Sequence, residues 1–552
     1  MMKRNSILLL LFLISFNSNS QSWQWAKSSG GVGNDFAGNL TTDPNGNIYS
    51  SLGCMFPIVY FDTDSFSISG FNDMFLVKYD NLGNKIWIKQ FGGPNSNMTT
   101  IKQEYISGLV YDNFSNTVIL KGTFVESVNF GCSSLTTNSE DRQIFLAKFD
   151  LNGNCVWSKQ AGGLSDDYGY NVITDGVGNV YLAASIRDSG YFDNFHIPRG
   201  GILAKYDING NCVWVRSTFS YTNTNGYWGS SVNVGSMKIF NNELYLVGTN
   251  IDDTLTIDTF SIQLNNSYGN ILAKFDLNGN IIWNKLYAGP TSFFRPSLSM
   301  DNSGNCYVTG AFNSVAVFES DTIYSPGNKD MFIIKFDSNG NKIWLHQIEA
   351  SQSASGSAIS SSGDGNFYVT GVFSGSASFD LFNVTSITNG DLFIARYNTN
   401  GNCLGIRNSS NSSGGAIVAD ISGNAIVSGG FSMITSFGTI GLSSIGNSDA
   451  FIAKHDMITG IGGNERSLQS QLSIYANPNK GSFRIKIPED IVSYEDATLL
   501  VFDQQGREIT RFILTVEEEE TPVFDVDNAG PGIYMVQLVQ GTKSYLGKMV
   551  VE

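Results

Sequence analysis

Three histidines, His196, His346 and His455, are all the imidazole this chain has for acid–base work or metal ligation. His346 takes a place held elsewhere by Lys27, Lys89, Lys159, Arg216, Lys285 and Arg407, and His455 replaces the aromatic of a recurring K-[YF]-D. Both are expected to serve the repeat rather than a reaction. The D-x-N-G-N segments, such as Asp150–Asn154 and Asp207–Asn211, begin like a calcium loop but lack the downstream bidentate Glu. An Asp capping a glycine-containing hairpin turn accounts for each copy. Adjacent acids at Asp166–Asp167 and Asp252–Asp253 could form a glycosidase pair, yet sequence neighbours are expected on a solvated loop. No catalytic residue, metal ligand or cofactor is assigned. Lys78, Lys148, Lys205, Lys274, Lys335, Arg396 and Lys454 recur too, and are expected to lay their stems over apolar strand surface with their charges in water.

Aromatic chemistry outside any pattern is concentrated in two connections, Tyr221, Tyr227 and Trp228 in one, Phe293, Phe294 and Arg295 in the next. Aromatic platforms beside polar groups suit an extracellular glycan or a protein surface, so these six form the candidate ligand-binding set. The competing reading is that they pin their own long loops.

The elements that would carry these residues are strands. One hairpin recurs as DMFLVKYDNLGNKIWIK from Asp73, QIFLAKFDLNGNCVWSK from Gln143, GILAKYDINGNCVWVR from Gly201, NILAKFDLNGNIIWNK from Asn270 and DMFIIKFDSNGNKIWLH from Asp330. A copy from Asp391 has Gly405 in place of Trp, and a last one, DAFIAKHD from Asp449, has no second strand. Upstream of each copy lies another hairpin, such as AGNLTTDPNGNIYSSLG from Ala37 or PSLSMDNSGNCYVTG from Pro296. Alternation at period two, with turns that favour positive φ at Gly or Asn, makes both segments β-hairpins.

Four strands result per repeat, labelled A to D from axis to rim, as in Ala37–Asp43, Asn47–Gly53, Asp73–Asp80 and Lys85–Gln90. A spacing of roughly 57 to 70 residues fits a four-stranded blade and is too long for a β-helix coil. Seven blades are expected. The last copy lacks strand D, while Trp23–Ser28 is an orphan whose Trp25 and Lys27 match Trp87 and Lys89, so the orphan is expected to complete blade seven. The D–A and B–C connections vary and share one face. Phe61, Phe130, Phe192, Phe318, Phe379 and Phe437 recur in the B–C segments and are expected to pack. Over residues from about 23 to 456 these segments resemble bacterial β-propeller repeats of the SBBP type, which implies an architecture but no activity.

The ends carry a different message. Lys3 and Arg4, an apolar run from Ile7 to Phe16, and Ser18 and Ser20 before Gln21 follow a signal-peptide plan, expected to span residues 1–20. No later run is apolar enough for a membrane span, and no Cys follows the first one to take a lipid. Six cysteines (Cys54, Cys132, Cys155, Cys212, Cys306, Cys403) are sparse, and no disulfide framework is expected. The propeller is expected over 21–458, a linker over 459–470 and a small Ig-like β-sandwich over 471–552, with strands at Leu472–Ala476, Ser482–Pro488, Ala497–Asp503, Glu508–Thr515, Gly532–Val539 and Ser544–Val551.

This last domain resembles the type A sorting domain of the type IX secretion system. The matching residues are Tyr475, Asn477, Pro478 and Gly481, then Asp503, Gly506 and Arg507, then Gly532, Tyr534 and Lys548; Ala476 stands where the family usually has Pro. The resemblance implies the type IX machinery as a partner, a route through the periplasm, and a secreted or cell-surface destination.

Charged residues are 15% of the chain, and a formal net charge of -16 repels phosphate backbones and anionic lipid, so nucleic acid is excluded as a partner. The function expected is a non-enzymatic binding or adhesion scaffold outside the cell. A hydrolase or lyase acting on an extracellular polysaccharide, and a structural surface component, remain open beside it.

Overall fold

A computed structural model describes residues 22–458 apart from 56, 94–103, 138–140, 220–231, 251–253, 258–259, 264–267, 290–295 and 319–320. It also describes 472–552 apart from 488–495, 503–507, 516–522, 527–528 and 541–542. The expected signal peptide and linker lie outside the described residues. Every regular element among the described residues is a strand.

The β-propeller part is built from four-stranded antiparallel units. In unit 1 the strands A to D are Phe36–Thr42, Ile48–Met55, Asn72–Tyr79 and Lys85–Phe91, hydrogen-bonded in that order. Units 2 to 6 repeat the order over 105–163, 168–219, 232–289, 297–348 and 353–409. In unit 7, A is Ser412–Ala419, B is Ala425–Phe431 and C is Asp449–His455. Strand D of that unit comes from the other end of the chain: Trp23–Gly31 pairs antiparallel with C, from Trp23 opposite His455 to Ser29 opposite Ala450. The orphan strand thus sits where its Trp–Lys pattern places it. Strand A of each unit lies beside strand A of the next, and that of unit 7 lies beside that of unit 1.

The turns explain why these segments fold locally. Asp150 Oδ1 accepts the backbone N–H groups of Asn152 (2.9 Å) and Asn154 (2.8 Å), while Oδ2 accepts from the Asn154 side chain (2.9 Å). Both carboxylate oxygens are taken by the turn itself. Gly153 adopts φ +78, a left-handed conformation costly for other residues. Strand interiors are apolar on both faces because each unit packs between two others: Met74, Phe75, Leu76 and Val77 are all fully buried.

Two expectations need correction here. The expected four strands per repeat leave out the B–C connections, each of which forms its own short hairpin, for example Ile58–Phe61 with Asp64–Ser67 and Ser376–Phe379 with Phe382–Thr385. In unit 3 the hairpin simply prolongs strands B and C. Four-residue strands carry too little alternation to be read from sequence. The recurring Phe61, Phe130, Phe192, Phe318, Phe379 and Phe437 are buried beneath these hairpins. Secondly, a disulfide joins Cys132 to Cys155, with Cα atoms 5.3 Å apart. It links the B–C hairpin of unit 2 to the first residue of strand D. Elsewhere an ion pair makes that link: Lys85 to Asp64 (2.9 Å) and Lys342 to Asp321 (2.8 Å).

The C-terminal part has two sheets. Ser473–Tyr475, Ser482–Lys486 and Phe524–Asp525 form one, and Glu508–Thr515, Asp496–Phe502, Gly532–Gln540 and Lys543–Val551 form the other in that order. Phe524–Asp525 is an additional short strand. Phe483 and Ile485 from the first sheet share a core with Leu499, Val501, Val536, Leu538 and Met549 from the second.

Candidate functional site

Six of the seven recurring cations do not behave as expected: they are buried, and Lys205 is half-buried. Lys148 and Lys454 have side chains 2% and 1% exposed, and Lys78, Lys274, Lys335 and Arg396 are buried as well. A buried ammonium needs a counter-charge and acceptors. Four of the lysines find an acid at the end of strand A or the start of B: Lys454 to Asp420 at 2.8 Å, Lys148 to Asp112 at 3.5 Å, Lys335 to Asp301 at 3.9 Å and Lys274 to Glu243 at 2.5 Å. Strand B adds an aromatic face, with Lys335 Nζ 4.9 Å from the Tyr307 ring centre and Lys78 Nζ 5.2 Å from that of Tyr49.

The remaining contact crosses to the next unit. Lys78 Nζ and Trp87 Nε1 both donate to the Leu151 carbonyl, each at 3.1 Å. Lys335 (3.0 Å) and Trp344 (3.2 Å) donate to Thr399 O in the same way. Lys454 (3.2 Å) and Trp25 (3.3 Å) donate to Asn81 O, so the seam between units 7 and 1 is latched like the others. The accepting carbonyl lies in the neighbour's C–D turn, whose glycine must also admit the indole. A Cβ on Gly210, at φ +80, would stand 2.8 Å from Trp157. The Lys, Trp and N-G-N signatures therefore form one interlocking device. Of the histidines, His455 is fully buried, and burial with Arg407 nearby pushes it down to about 4. His346 packs edge-on to Trp344 at 4.8 Å.

The opposite face holds buried acids that sequence reasoning missed. Asp35, Asp73, Glu104, Asp167, Asp330, Asp391 and Asp449 are almost inaccessible. Burial pushes Asp167 up to about 7 and raises Asp35, Asp73, Asp330 and Asp449. Asp167, expected on a solvated loop, is fully buried and accepts the N–H groups of Gly163 (2.6 Å) and Arg187 (2.9 Å). Its neighbour Asp166 faces Arg187 at 3.6 Å and Arg142 at 3.9 Å. These carboxylates hold connections in place. The recurrence of Asp before the apolar run of strand C, at Asp73, Asp330, Asp391 and Asp449, was the signal available.

A concave site does exist on this face. A groove of about 760 Å³ lies between units 6 and 7, lined by Thr388, Asn389, Asn411, Ser413, Met433 and Asn447 among others. Its cause is a short connection. Only Ser410 and Asn411 join strand D of unit 6 to strand A of unit 7, whereas residues 349–352 and 32–35 join units 5 to 6 and 7 to 1. Those longer connections lie over the B–C hairpin ends: Asn328 N–H donates to Gln352 O (2.9 Å) and Asp35 N–H to Ser448 O (2.8 Å). Asn411 N–H reaches only Thr388 Oγ1 and Asp391 Oδ1, both at 3.3 Å, and the space beyond stays open.

The six aromatic-loop residues, Tyr221, Tyr227, Trp228, Phe293, Phe294 and Arg295, lie outside the described residues, as do Asp503, Gly506 and Arg507. The other sorting-motif residues frame one corner of the C-terminal part. Tyr475 ends a strand, Asn477 Oδ1 accepts from Val550 N–H (2.7 Å), and Gly481, after Pro478 and at φ +96, donates to Asn479 Oδ1 (2.7 Å). Asn479 N–H donates to Val550 O and Asn479 O accepts from Glu552 N–H, each at 2.9 Å, so the opening loop is strapped to the last strand. Gly532 and Tyr534 lie in the strand paired with it, Met535 opposite Lys548, and the Tyr534 hydroxyl donates to Gly530 O at 3.0 Å.

Residues 473–552 match the sequence model of the secretion system C-terminal sorting domain. The C-terminal segment is a type IX sorting domain. The sorting domain marks the protein for export, to the cell surface or beyond it, and implies contact with the type IX machinery. Residues 156–188 match the beta-propeller repeat SBBP. A WD repeat-containing protein of Acanthamoeba polyphaga mimivirus, described as uncharacterized, is 23% identical over 69% of this chain and 34% of its own length. The chain thus spans about a third of that curated relative. Among solved structures, BamB from Moraxella catarrhalis is 10% identical with a TM-score of 0.35, covering 79% of this chain and 100% of that one. The Pan2 WD40 domain of Neurospora crassa is 9% identical with a TM-score of 0.38, covering 78% and 91%. No helix among the described residues is long and apolar enough to cross a membrane.

Proposed function

We propose that the protein is a closed seven-bladed propeller, exported through the periplasm, that binds an extracellular glycan or protein without chemically altering it. The closed ring is supported by the pairing of Trp23–Gly31 with Asp449–His455 and by the Lys–Trp latch that the 7–1 seam shares with the 1–2 and 5–6 seams. Residues 1–20 would act as signal peptide, 21–458 as propeller, 459–470 as linker, and 471–552 as an Ig-like sandwich read by the secretion machinery.

The observation that carries the binding reading is the division of labour between the two faces. On one, the recurring charged and aromatic groups are engaged in blade-to-blade latches; on the other, connections differ from seam to seam and one seam opens into a groove. The acids nearest that groove, Asp391 and Asp449, are buried and accept hydrogen bonds from the surrounding loops, a scaffolding role rather than acid–base work. The aromatic loops at 221–228 and 293–295 are proposed as a second contact on the same face. The test is incubation of the purified protein with extracellular polysaccharides and surface proteins, measuring retention and product together. Saturable retention with the polymer intact is expected; new reducing ends or unsaturated sugar products would establish the hydrolase or lyase instead.

A further inference from the structure

We infer that the groove between blades 6 and 7 binds a short segment of an uncharged glycan, an inference that rests on the binding function proposed above. The groove is hollow because the connection through Ser410 and Asn411 is too short to cover the end of the blade 6 hairpin. What this exposes is uncharged, amides and hydroxyls beside the apolar Val372 and Met433. Asn389, Asn447 and Ser413 line the groove and stand exposed, with Ser448 half-buried beside them. Amides and hydroxyls both donate and accept, the pattern that matches a sugar ring's hydroxyl groups.

No Lys, Arg, Asp or Glu lines the groove, so it offers no counter-charge to an anionic or cationic ligand. Asp391 and Asp449 sit behind the wall: Asp391 accepts from Thr388 Oγ1 (2.5 Å), and Asp449 accepts from the N–H groups of Ile445 (2.9 Å) and Gly446 (3.3 Å). Their contribution is to fix the two hairpin ends that present Asn389 and Asn447. Met433, exposed at the rim, and Val372 supply apolar surface for the C–H face of a sugar. About 760 Å³ falls within the ~300–1,000 Å³ of ordinary small-molecule sites.

The experiment is an array of neutral and acidic glycans probed with the full chain, its N389A/N447A variant and its W228A/F294A variant. Both asparagines are exposed, so the first variant is expected to keep the parent's thermal unfolding. Binding to neutral glycans is expected, weakened about tenfold or more by N389A/N447A through loss of two hydrogen-bonding amides. Neutral-glycan binding that N389A/N447A leaves intact and W228A/F294A abolishes would overturn the groove while sustaining a binding function. Binding confined to acidic glycans would overturn the ligand class. Absence of glycan binding, with retention of a surface protein in the preceding assay, would overturn this inference and leave the broader reading standing; absence of both would end the two together.

Discussion

Replacing Lys454 by Met tests the latch between units 7 and 1, the seam at which the proposed ring closes. Lys454 Nζ lies 2.8 Å from Asp420, the two side chains are 1% and 2% exposed, and the ammonium also donates to Asn81 O in the next blade at 3.2 Å. Burial alone would raise the Asp420 carboxyl, but the hydrogen bonds from Lys454 and Asn424 outweigh it and hold the group below the ordinary carboxylate range. Removing the cation strands a buried carboxylate, which costs about 3–5 kcal/mol, and the lost bond to Asn81 adds about 1 kcal/mol. The assay is urea unfolding followed by tryptophan emission, since Trp25 shares the same acceptor. At pH 7 a large fall in the midpoint is expected. At pH 4 the fall should be smaller, because Asp420 without its cation takes up a proton and sheds the penalty. D420N/K454M should recover much of the loss: Asn398 already caps a C–D turn, accepting from Asn400 and Asn402 N–H groups. A K454M midpoint within about 1 kcal/mol of the parent, or a double variant no more stable than the single, would refute the latch as the source of seam stability.

Asp167 carries the opposite pH sign: its folded pKa of about 7 lies above the ordinary 3.8, so its contribution is full below 3.8 and is lost progressively as pH rises to about 7. Thermal unfolding of D167N should therefore change less between pH 4 and 7 than the parent's, and an unchanged slope would refute the assignment. The Cys132–Cys155 bond, closing a separation of 23 residues, should contribute about 3 kcal/mol, read as the stability difference between the parent and C132S. Thiol titration of the unfolded parent should find Cys54, Cys212, Cys306 and Cys403 reactive and the other two silent. A chain ending near Ser470 should still fold, because every strand from Ser473 onward pairs with its own group, but in a host with the type IX system it should accumulate in the periplasm. Efficient surface delivery of that truncated chain would refute the sorting role.

The strands and the orphan pairing were legible because they repeat: period two fixes each strand, and a half-hairpin at either end has one possible partner. The fate of the lysines was not. Lys78 and its acceptor Leu151 are in different repeats, and no alternation within one repeat reveals that the charge is capped by the next. The disulfide was hidden for a similar reason. Cys155 shares its position with Cys212 and Cys403, which read as a repeat feature, while Cys132 lies in a hairpin too short to predict. The groove was hidden by emphasis. Unpatterned aromatics draw attention to long connections, whereas the described concavity arises at the shortest one, through Ser410 and Asn411.

Blade 6 supplies a control within the molecule for this account. It is the unit whose strand D carries Gly405 where the others carry Trp, and its neighbour, blade 7, has no C–D turn because its strand D comes from the N-terminus. Trp is thus missing where the glycine shelf it would pack on is missing. Arg396, standing for the usual lysine, reaches Ile458 O at 2.8 Å, beyond the end of the last strand C, instead of a turn carbonyl. A strand borrowed from the far end of the chain therefore alters the latch at this seam, and on the opposite face of the same seam lie the short connection and the groove. Where the repeat is complete, its chemistry is committed to holding the next blade. The seam between blades 6 and 7, where it is incomplete, leaves Asn389 and Asn447 exposed, and that is where we propose that a ligand binds.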